Sequence, residues 1–187
     1  MNYLNLTNII IAVIALIIVW VIFVFNGLVR RKYRVSEAWS DIDVQLKRRY
    51  DLIPNLVEVV KGYMTHERQV FESVTEARSK AMGVQNKTEK AGAEDSLSNT
   101  LKTLFAVSEN YPELKANVNF LELQKELADT ENKIQAARRF YNGNVMELNT
   151  KIALFPTNLI VSLLGFKNEE FFGVEKAEER EPVKVKF

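Results

Sequence analysis

The pattern of apolar and polar positions changes sharply near residue 29. The first part is a solid apolar block, with seventeen consecutive apolar residues from Ile9 to Phe25. About 20 helical residues cross a bilayer core of roughly 30 Å. Residues 1–29 are therefore predicted to form an uncleaved transmembrane anchor. A cleaved signal peptide is the alternative, but no Lys or Arg precedes the block and Phe25-Asn26-Gly27 is a poor cleavage site.

Beyond residue 30 the apolar residues recur at spacings of three and four. One stripe runs from Val35 to Ala81, with Arg49 in one of its positions, and a second runs from Phe120 to Ile152. This is the pattern of helices packed side by side. It predicts an all-α protein in which an antiparallel up-and-down bundle of about four helices covers residues 30–166. A charged tail, residues 167–187, follows the bundle.

Two positions can interrupt the first stripe. Pro54 predicts a kink or a boundary near residues 51–53, because an interior proline removes a backbone hydrogen bond. Gly62 is the other candidate break, with Thr65 able to cap a new helix. The stripe keeps its phase through both places, so one continuous rod is the alternative.

Later in the chain, polar stretches indicate further boundaries. The aperiodic stretch Met82–Ser96 is interpreted as a loop or a bundle tip, and Ser98 is expected on the solvent face of the helix after it. Asn117 or Asn119 can cap the last long helix, which Phe155-Pro156 stops.

The charges next to the anchor predict its orientation. Arg30, Arg31, Lys32 and Arg34 follow the apolar block and nothing basic precedes it. The positive-inside rule therefore predicts a single-pass protein of the bacterial inner (cytoplasmic) membrane, with its N-terminus outside and its C-terminal domain in the cytoplasm.

Composition removes several classes of function. There is no cysteine and a single histidine, His66. This leaves no thiolate nucleophile, no Cys-ligated zinc and too few histidines for a di-iron bundle. The formal net charge is +1, and no basic stripe with interleaved aromatics points to nucleic acid. We predict that the chain is not an enzyme, that it uses no cofactor or metal and that it binds no nucleic acid.

Two polar clusters lie on the long predicted helices. Helical spacing allows Arg48 to meet Asp51, and Asp51 to meet Asn55. Arg49 is expected to pair across the bundle with Glu131, since an unpaired charge on an apolar stripe is costly. The clusters are interpreted as a structural polar network, with binding of an anion or a peptide carboxylate as the alternative. Its members are Arg48, Arg49, Asp51, Asn55, Glu131, Asn132, Arg138 and Arg139.

Near the C-terminus the chain has more large apolar residues than a solvated segment carries. Packing against the bundle is the simplest interpretation, and contact with a second copy or with the bilayer surface is the alternative. The alternating end of the chain could also lie along a neighbouring copy. The predicted oligomer or membrane contacts are Leu159, Leu163, Phe166, Phe171, Phe172, Val183, Val185 and Phe187.

Several ordered motifs resemble those of the LemA family. They include Ala38-Trp39-Ser40, Arg48-Arg49-Tyr50-Asp51-Leu52-Ile53-Pro54-Asn55-Leu56-Val57, Glu109-Asn110-Tyr111-Pro112-Glu113-Leu114-Lys115-Ala116-Asn117 and Ala137-Arg138-Arg139-Phe140-Tyr141-Asn142. The resemblance implies an N-terminal anchor and an antiparallel helical bundle, and it carries no catalytic residues over. Some members occur beside membrane-bound metalloproteases, and one branch is linked to building magnetosome membranes. Some relatives carry a lipid-attachment cysteine and face the periplasm, whereas this chain lacks that cysteine.

Three hypotheses for function follow. The first is a membrane-anchored scaffold that self-associates or recruits partners at the cytoplasmic membrane surface. The second is an adaptor or regulator of a membrane-bound metalloprotease, and the third is a cryptic small-molecule or peptide sensor. The predicted partners are membrane lipid, through the anchor, further copies of the chain and a membrane protease.

Overall fold

The computed structural model of the protein describes residues 2–64 and 66–173. Over these residues the chain is helical and contains no strand, which confirms the predicted all-α fold. Its helices are α1 (Asn2–Lys61), α2 (Arg68–Gly83), α3 (Lys87–Ser108), α4 (Pro112–Lys115) and α5 (Val118–Ala153), with a 3-10 turn at Thr157–Leu159.

The first helix runs through Pro54 and ends at Lys61, so the boundary expected near residues 51–53 is absent. A proline leaves the carbonyl four residues earlier without its helical donor. That carbonyl belongs to Tyr50, and it accepts a hydrogen bond of 2.8 Å from the Arg78 side chain on α2. The helix survives its proline because a neighbouring helix supplies the missing donor.

The chain does break at Gly62, the second candidate position. Both Tyr63 and Met64 donate their backbone N–H groups to the carbonyl of Val60 at 3.0 and 2.9 Å, which closes the end of α1. The continuous rod is therefore wrong. Thr65, the predicted cap, lies outside the described residues.

Of the loop predicted over Met82–Ser96, residues 84–86 are a loop and the rest is helical, so most of that prediction is wrong. α2 continues to Gly83 and α3 begins at Lys87, where the Asn86 side chain caps it by accepting from the backbone N of Thr88 and Glu89 at 2.8 and 3.2 Å. The inward positions of this part of α3 include two alanines and buried Glu94. Alanine and glutamate at inward positions give no apolar stripe, so the sequence pattern does not predict the first half of α3.

At the start of α5 the backbone N–H of Phe120 donates to the Asn117 side chain at 3.0 Å. A short polar side chain that accepts from the third helical residue is the usual N-cap arrangement. Asn117 is therefore the cap, and Asn119 is inside the helix.

The chain forms two compact units. The first contains the chain up to Ala38 together with Gly143–Glu169, and its core holds Val24, Leu28, Val35, Val145 and Leu148. The second contains Trp39–Asn142 and the residues from Glu170. These units are defined by compactness and have other bounds than the predicted domains 1–29, 30–166 and 167–187. The domain division therefore stays a prediction.

The second unit is a four-helix arrangement built from parts of α1 and α5 and from all of α2 and α3. Short connections between successive helices are typical of antiparallel neighbours. Of the residues expected in the core, Leu46, Ile53, Leu127 and Ile134 are buried here, as Leu148 is in the first unit. Trp39 and Leu123 are only partly buried.

Among the described residues, α1 is the one helix long and apolar enough to cross a membrane, judged by length and composition. Its apolar side chains point outward over most of the predicted span, and Phe23 is 74% exposed. Outward apolar side chains of this density are expected on a helix surrounded by lipid.

Candidate functional site

A buried charge cluster lies at the centre of the second unit. The guanidinium of Arg49 donates from Nη1 to Glu131 at 2.6 Å and to Ser98 at 2.9 Å, and from Nη2 to Glu94. The Tyr50 hydroxyl donates to the other oxygen of Glu94. One guanidinium therefore joins α1, α3 and α5, and the ion pair expected between Arg49 and Glu131 is present.

The two carboxylates of the cluster have different surroundings. The Glu94 side chain is 2% exposed, and its carboxylate has Arg49 and Tyr50 as hydrogen-bond donors in place of water. The Glu131 side chain is 32% exposed and keeps access to water. Burial, followed by the hydrogen bond to Glu94, raises the pKa of Tyr50 well above its ordinary value. The phenol therefore stays protonated and remains a donor to the buried carboxylate.

A groove of about 230 Å³ opens over this cluster between α3 and α5. Its floor contains Arg49, Ser98 and Glu131, and its walls are mostly apolar, with Leu101 and Leu127 among them. The polar atoms on the floor already bond to one another. The cluster therefore links α1, α3 and α5 through the side chain of one arginine.

Sequence reasoning missed three members of the cluster, Tyr50, Glu94 and Ser98. The sequence pattern predicts a loop at Glu94 and a solvent-facing side chain at Ser98. Ser98 is half-buried, and its hydroxyl lies between Arg49 and Glu131. A serine, an alanine-rich turn and a glutamate carry no periodic signal, so only the packing of α3 against α1 reveals them.

The remaining members of the predicted network are scattered. Arg48 lies 3.5 Å from Glu126 and 4.0 Å from Asp129 on α5, rather than beside Asp51. The described contacts contain no hydrogen bond between Asp51 and Arg48 or Asn55. The local pairing predicted for this turn is therefore wrong, because α5 supplies closer carboxylates. Exposed positions are held by Asp51, Asn55, Asn132 and Arg139.

Arg138 takes part in a different arrangement within the second unit, around the buried Phe172. Its guanidinium lies 2.9 Å from Asp95 and 5.1 Å from the centre of the Phe172 ring. The Phe172 ring meets Trp39 edge-on at 5.2 Å, and Asn142 exchanges two hydrogen bonds, of 3.0 and 2.9 Å, with the Phe172 backbone.

This arrangement corrects the role predicted for Phe172. The residue is buried in its own chain, so it cannot be an oligomer or membrane contact, and the segment that contains it does help to close the core. Its neighbour Phe171 is exposed. Val183, Val185 and Phe187 lie outside the described residues.

The other predicted contact residues belong to the first unit. Leu159 and Leu163 are exposed, as are Leu154 and Phe155 just before them. Phe166 instead packs edge-on against Phe25 of α1, with 5.8 Å between the ring centres. The single histidine, His66, is exposed in the turn between α1 and α2. Residues 2–64 and 66–173 contain no cluster of three His, Asp or Glu side chains that could hold a metal.

Residues 2–64 and 66–173 therefore form an all-helical protein with a buried charge cluster and one helix long and apolar enough to cross a membrane. The sequence model of the LemA family matches residues 38–187, and the chain belongs to this family. It is 28% identical to Protein LemA of Metamycoplasma hominis over 82% of this chain and 70% of that protein.

Magnetosome proteins are further relatives. Magnetosome protein MamQ 2 of Paramagnetospirillum magneticum is 23% identical and MamQ of Magnetospirillum gryphiswaldense 21% identical, each over 79% of this chain. The chain spans 64% of the length of these two proteins.

Proposed function

We propose that the protein is a non-catalytic scaffold, anchored by α1 in the bacterial inner membrane, that self-associates and recruits partners at the cytoplasmic surface. The observation that carries the proposal is α1 itself. It presents outward apolar side chains over a length that fits a bilayer and continues without a break into the helical bundle. An anchor helix that continues into a bundle holds every copy at the membrane in the same orientation.

The residues after the span support the cytoplasmic orientation. Arg30, Lys32 and Arg34 are exposed, and Arg31 is partly buried, with its side chain donating to the Gly27 carbonyl at 3.2 Å. Basic side chains next to a span are retained on the cytoplasmic side and meet anionic headgroups there.

The buried cluster supports a structural role over a catalytic one. Arg49 binds two carboxylates and Ser98 through its two terminal nitrogens, so the charges of Glu94 and Glu131 are paired within the protein. A catalytic site needs a nucleophile or general base within reach of a substrate. In the groove above the cluster the Ser98 hydroxyl and the Glu131 carboxylate are instead bonded to each other and to Arg49.

Self-association follows from confinement in the membrane. Copies held in one plane have a raised effective concentration, so weak lateral contacts can assemble them. Because all copies point the same way, we expect a ring or cap about an axis along the membrane normal. The relatives named as magnetosome proteins support a membrane-associated role.

Two measurements on the full chain test the proposal. A fluorescent protein fused after Phe187 should fluoresce, and an exported phosphatase fused at the same point should be inactive. An active phosphatase would overturn the orientation. Purified in mild detergent, the protein should have the mass of several copies, and a monomer would overturn self-association.

The contribution of the last residues needs a cut that keeps the fold intact. A chain ending at Lys167 would lose Phe172 and damage the core, so the cut belongs after Gly173. If Val183, Val185 and Phe187 join copies, this shorter chain should form smaller particles. Particles of unchanged size would show that assembly uses other surfaces.

A further inference from the structure

An uncharged segment follows α5 in the first unit. Lys151 and Lys167 enclose fifteen residues, Ile152–Phe166, without a charged side chain. Within it four large apolar side chains are exposed, and Leu163 is 85% exposed. Water-facing surfaces of soluble proteins rarely gather so much apolar area in one short stretch. The exposed side chains are Leu154, Phe155, Leu159 and Leu163.

The segment lies beside the end of the predicted membrane span. Phe166 contacts Phe25, the last residue of the uninterrupted apolar run of α1. On the same helix Leu28 is fully buried, whereas Phe23 is 74% exposed. A helix cannot bury its own side chains to this extent. In this unit the other stretch of chain is Gly143–Glu169, so it covers the Leu28 side of α1, just after the apolar run that ends at Phe25.

The backbone of the segment is suited to a site with little water. Between Leu154 and Phe166, eight backbone N–H groups donate to carbonyls of the segment itself or of Thr150, at 3.0–3.2 Å. Non-helical backbone is tolerated near lipid only where its polar groups have partners within the protein. The segment meets most of this requirement without a regular helix.

Side chains suited to lipid headgroups surround the segment. Lys32 and Tyr33 are exposed on the neighbouring turn of α1, and exposed Lys167 ends the segment. A groove of about 420 Å³ runs between this turn and Phe166, with Phe25 on its apolar side and Lys32 at its polar side. Basic residues and tyrosine at the edge of an apolar surface are typical of the membrane interface.

We propose that residues 154–166 form a second membrane contact, which inserts Leu154, Phe155, Leu159 and Leu163 into the interface of the bilayer that α1 spans. The proposal rests on the membrane anchor proposed above. The apolar surface of this segment continues that of α1 through the contact of Phe166 with Phe25. The anchor also holds the segment at the headgroup level of its own bilayer, so lipid is the nearest apolar partner.

Single cysteines can test this directly, because the chain has none of its own. The full protein is reconstituted into phosphatidylcholine–phosphatidylglycerol vesicles as Leu163→Cys, labelled with an environment-sensitive fluorophore. Phe23→Cys in the span is the positive control, and Met82→Cys, exposed at the end of α2, is the control for an aqueous apolar site. Nitroxide on the lipid acyl chains quenches probes in the bilayer, and iodide quenches probes in water.

We expect the probe at residue 163 to show blue-shifted emission and quenching by lipid nitroxide, as at residue 23. Quenching by iodide alone, as at residue 82, would overturn the membrane contact. Quenching by neither would also overturn it, because protein from a second copy would then cover the site. If residue 23 itself escapes lipid nitroxide, the anchor has failed, whereas lipid quenching at residue 23 alone rejects only the second contact.

Discussion

The Arg78 side chain on α2 donates from Nε to the backbone carbonyl of Tyr50 on α1, at 2.8 Å. That carbonyl lies four residues before Pro54, so its helical donor is missing. The Arg78 side chain thus replaces the N–H group that Pro54 lacks. A proline inside a long helix is tolerated because an arginine from the next helix fills the gap.

The stability effect of Arg78 should therefore depend on Pro54. Arg78→Ala should lower the free energy of unfolding by about 1–3 kcal/mol, the range for losing a charged hydrogen bond to a partly buried carbonyl. In a Pro54→Ala background residue 54 regains its N–H group, and the same change should cost much less. Urea denaturation of the four proteins, followed by circular dichroism, measures the coupling. Equal effects in both backgrounds would show that Arg78 acts elsewhere.

Removal of the buried cation tests the central cluster. Arg49→Met should destabilise the protein by about 3–5 kcal/mol, because it leaves Glu94 buried without its charged partner. Adding Glu94→Gln should recover more stability than adding Glu131→Gln, since Glu131 is partly hydrated. Denaturation midpoints of the single and double variants give the order. A larger recovery from Glu131→Gln would contradict the assignment of Glu94 as the dependent carboxylate.

Two neighbouring phenylalanines provide a matched pair for the segment after Glu170. Phe172→Ala should cost about 3–5 kcal/mol, as expected for truncating a buried aromatic ring. Phe171→Ala, at an exposed position, should cost less than about 1 kcal/mol. Thermal or urea unfolding distinguishes them, and the Trp39 environment should change in the first variant alone. Similar costs would mean that the segment does not dock through Phe172.

Tyr50 should make stability depend on alkaline pH. The pKa of its phenol is raised above the ordinary value of 10.0 by burial and by the hydrogen bond to Glu94. Above pH 10.0 the unfolded chain loses this proton while the folded protein keeps it, so the contribution present at lower pH falls as pH rises. Tyr50→Phe should show a smaller loss of stability between about pH 8 and pH 11. An identical pH dependence in the two proteins would contradict a buried, protonated Tyr50.

The periodicity of the sequence was sufficient for the elements with strong apolar signals. The block from Ile9 to Phe25 and the stripes of α1 and α5 follow from local spacing, because residues three and four apart share a helix face whatever surrounds it. The Arg49–Glu131 pair could be expected for a related reason. A charge on an apolar stripe requires a partner, and Glu131 lies beside the facing stripe.

Tertiary structure decided the rest, because those features depend on which surfaces meet. The first half of α3 is helical although its inward positions hold alanines and Glu94. The buried Glu94 carboxylate is accommodated there because Arg49 and Tyr50 donate hydrogen bonds to it. Pro54 does not end α1, since the Tyr50 carbonyl that it leaves without a helical donor accepts from Arg78, 28 residues after Tyr50. Phe172 is a core residue because its ring packs against Trp39 and its backbone forms hydrogen bonds with Asn142. Contacts between residues far apart in the chain leave no local period in the sequence, and packing alone brings them together.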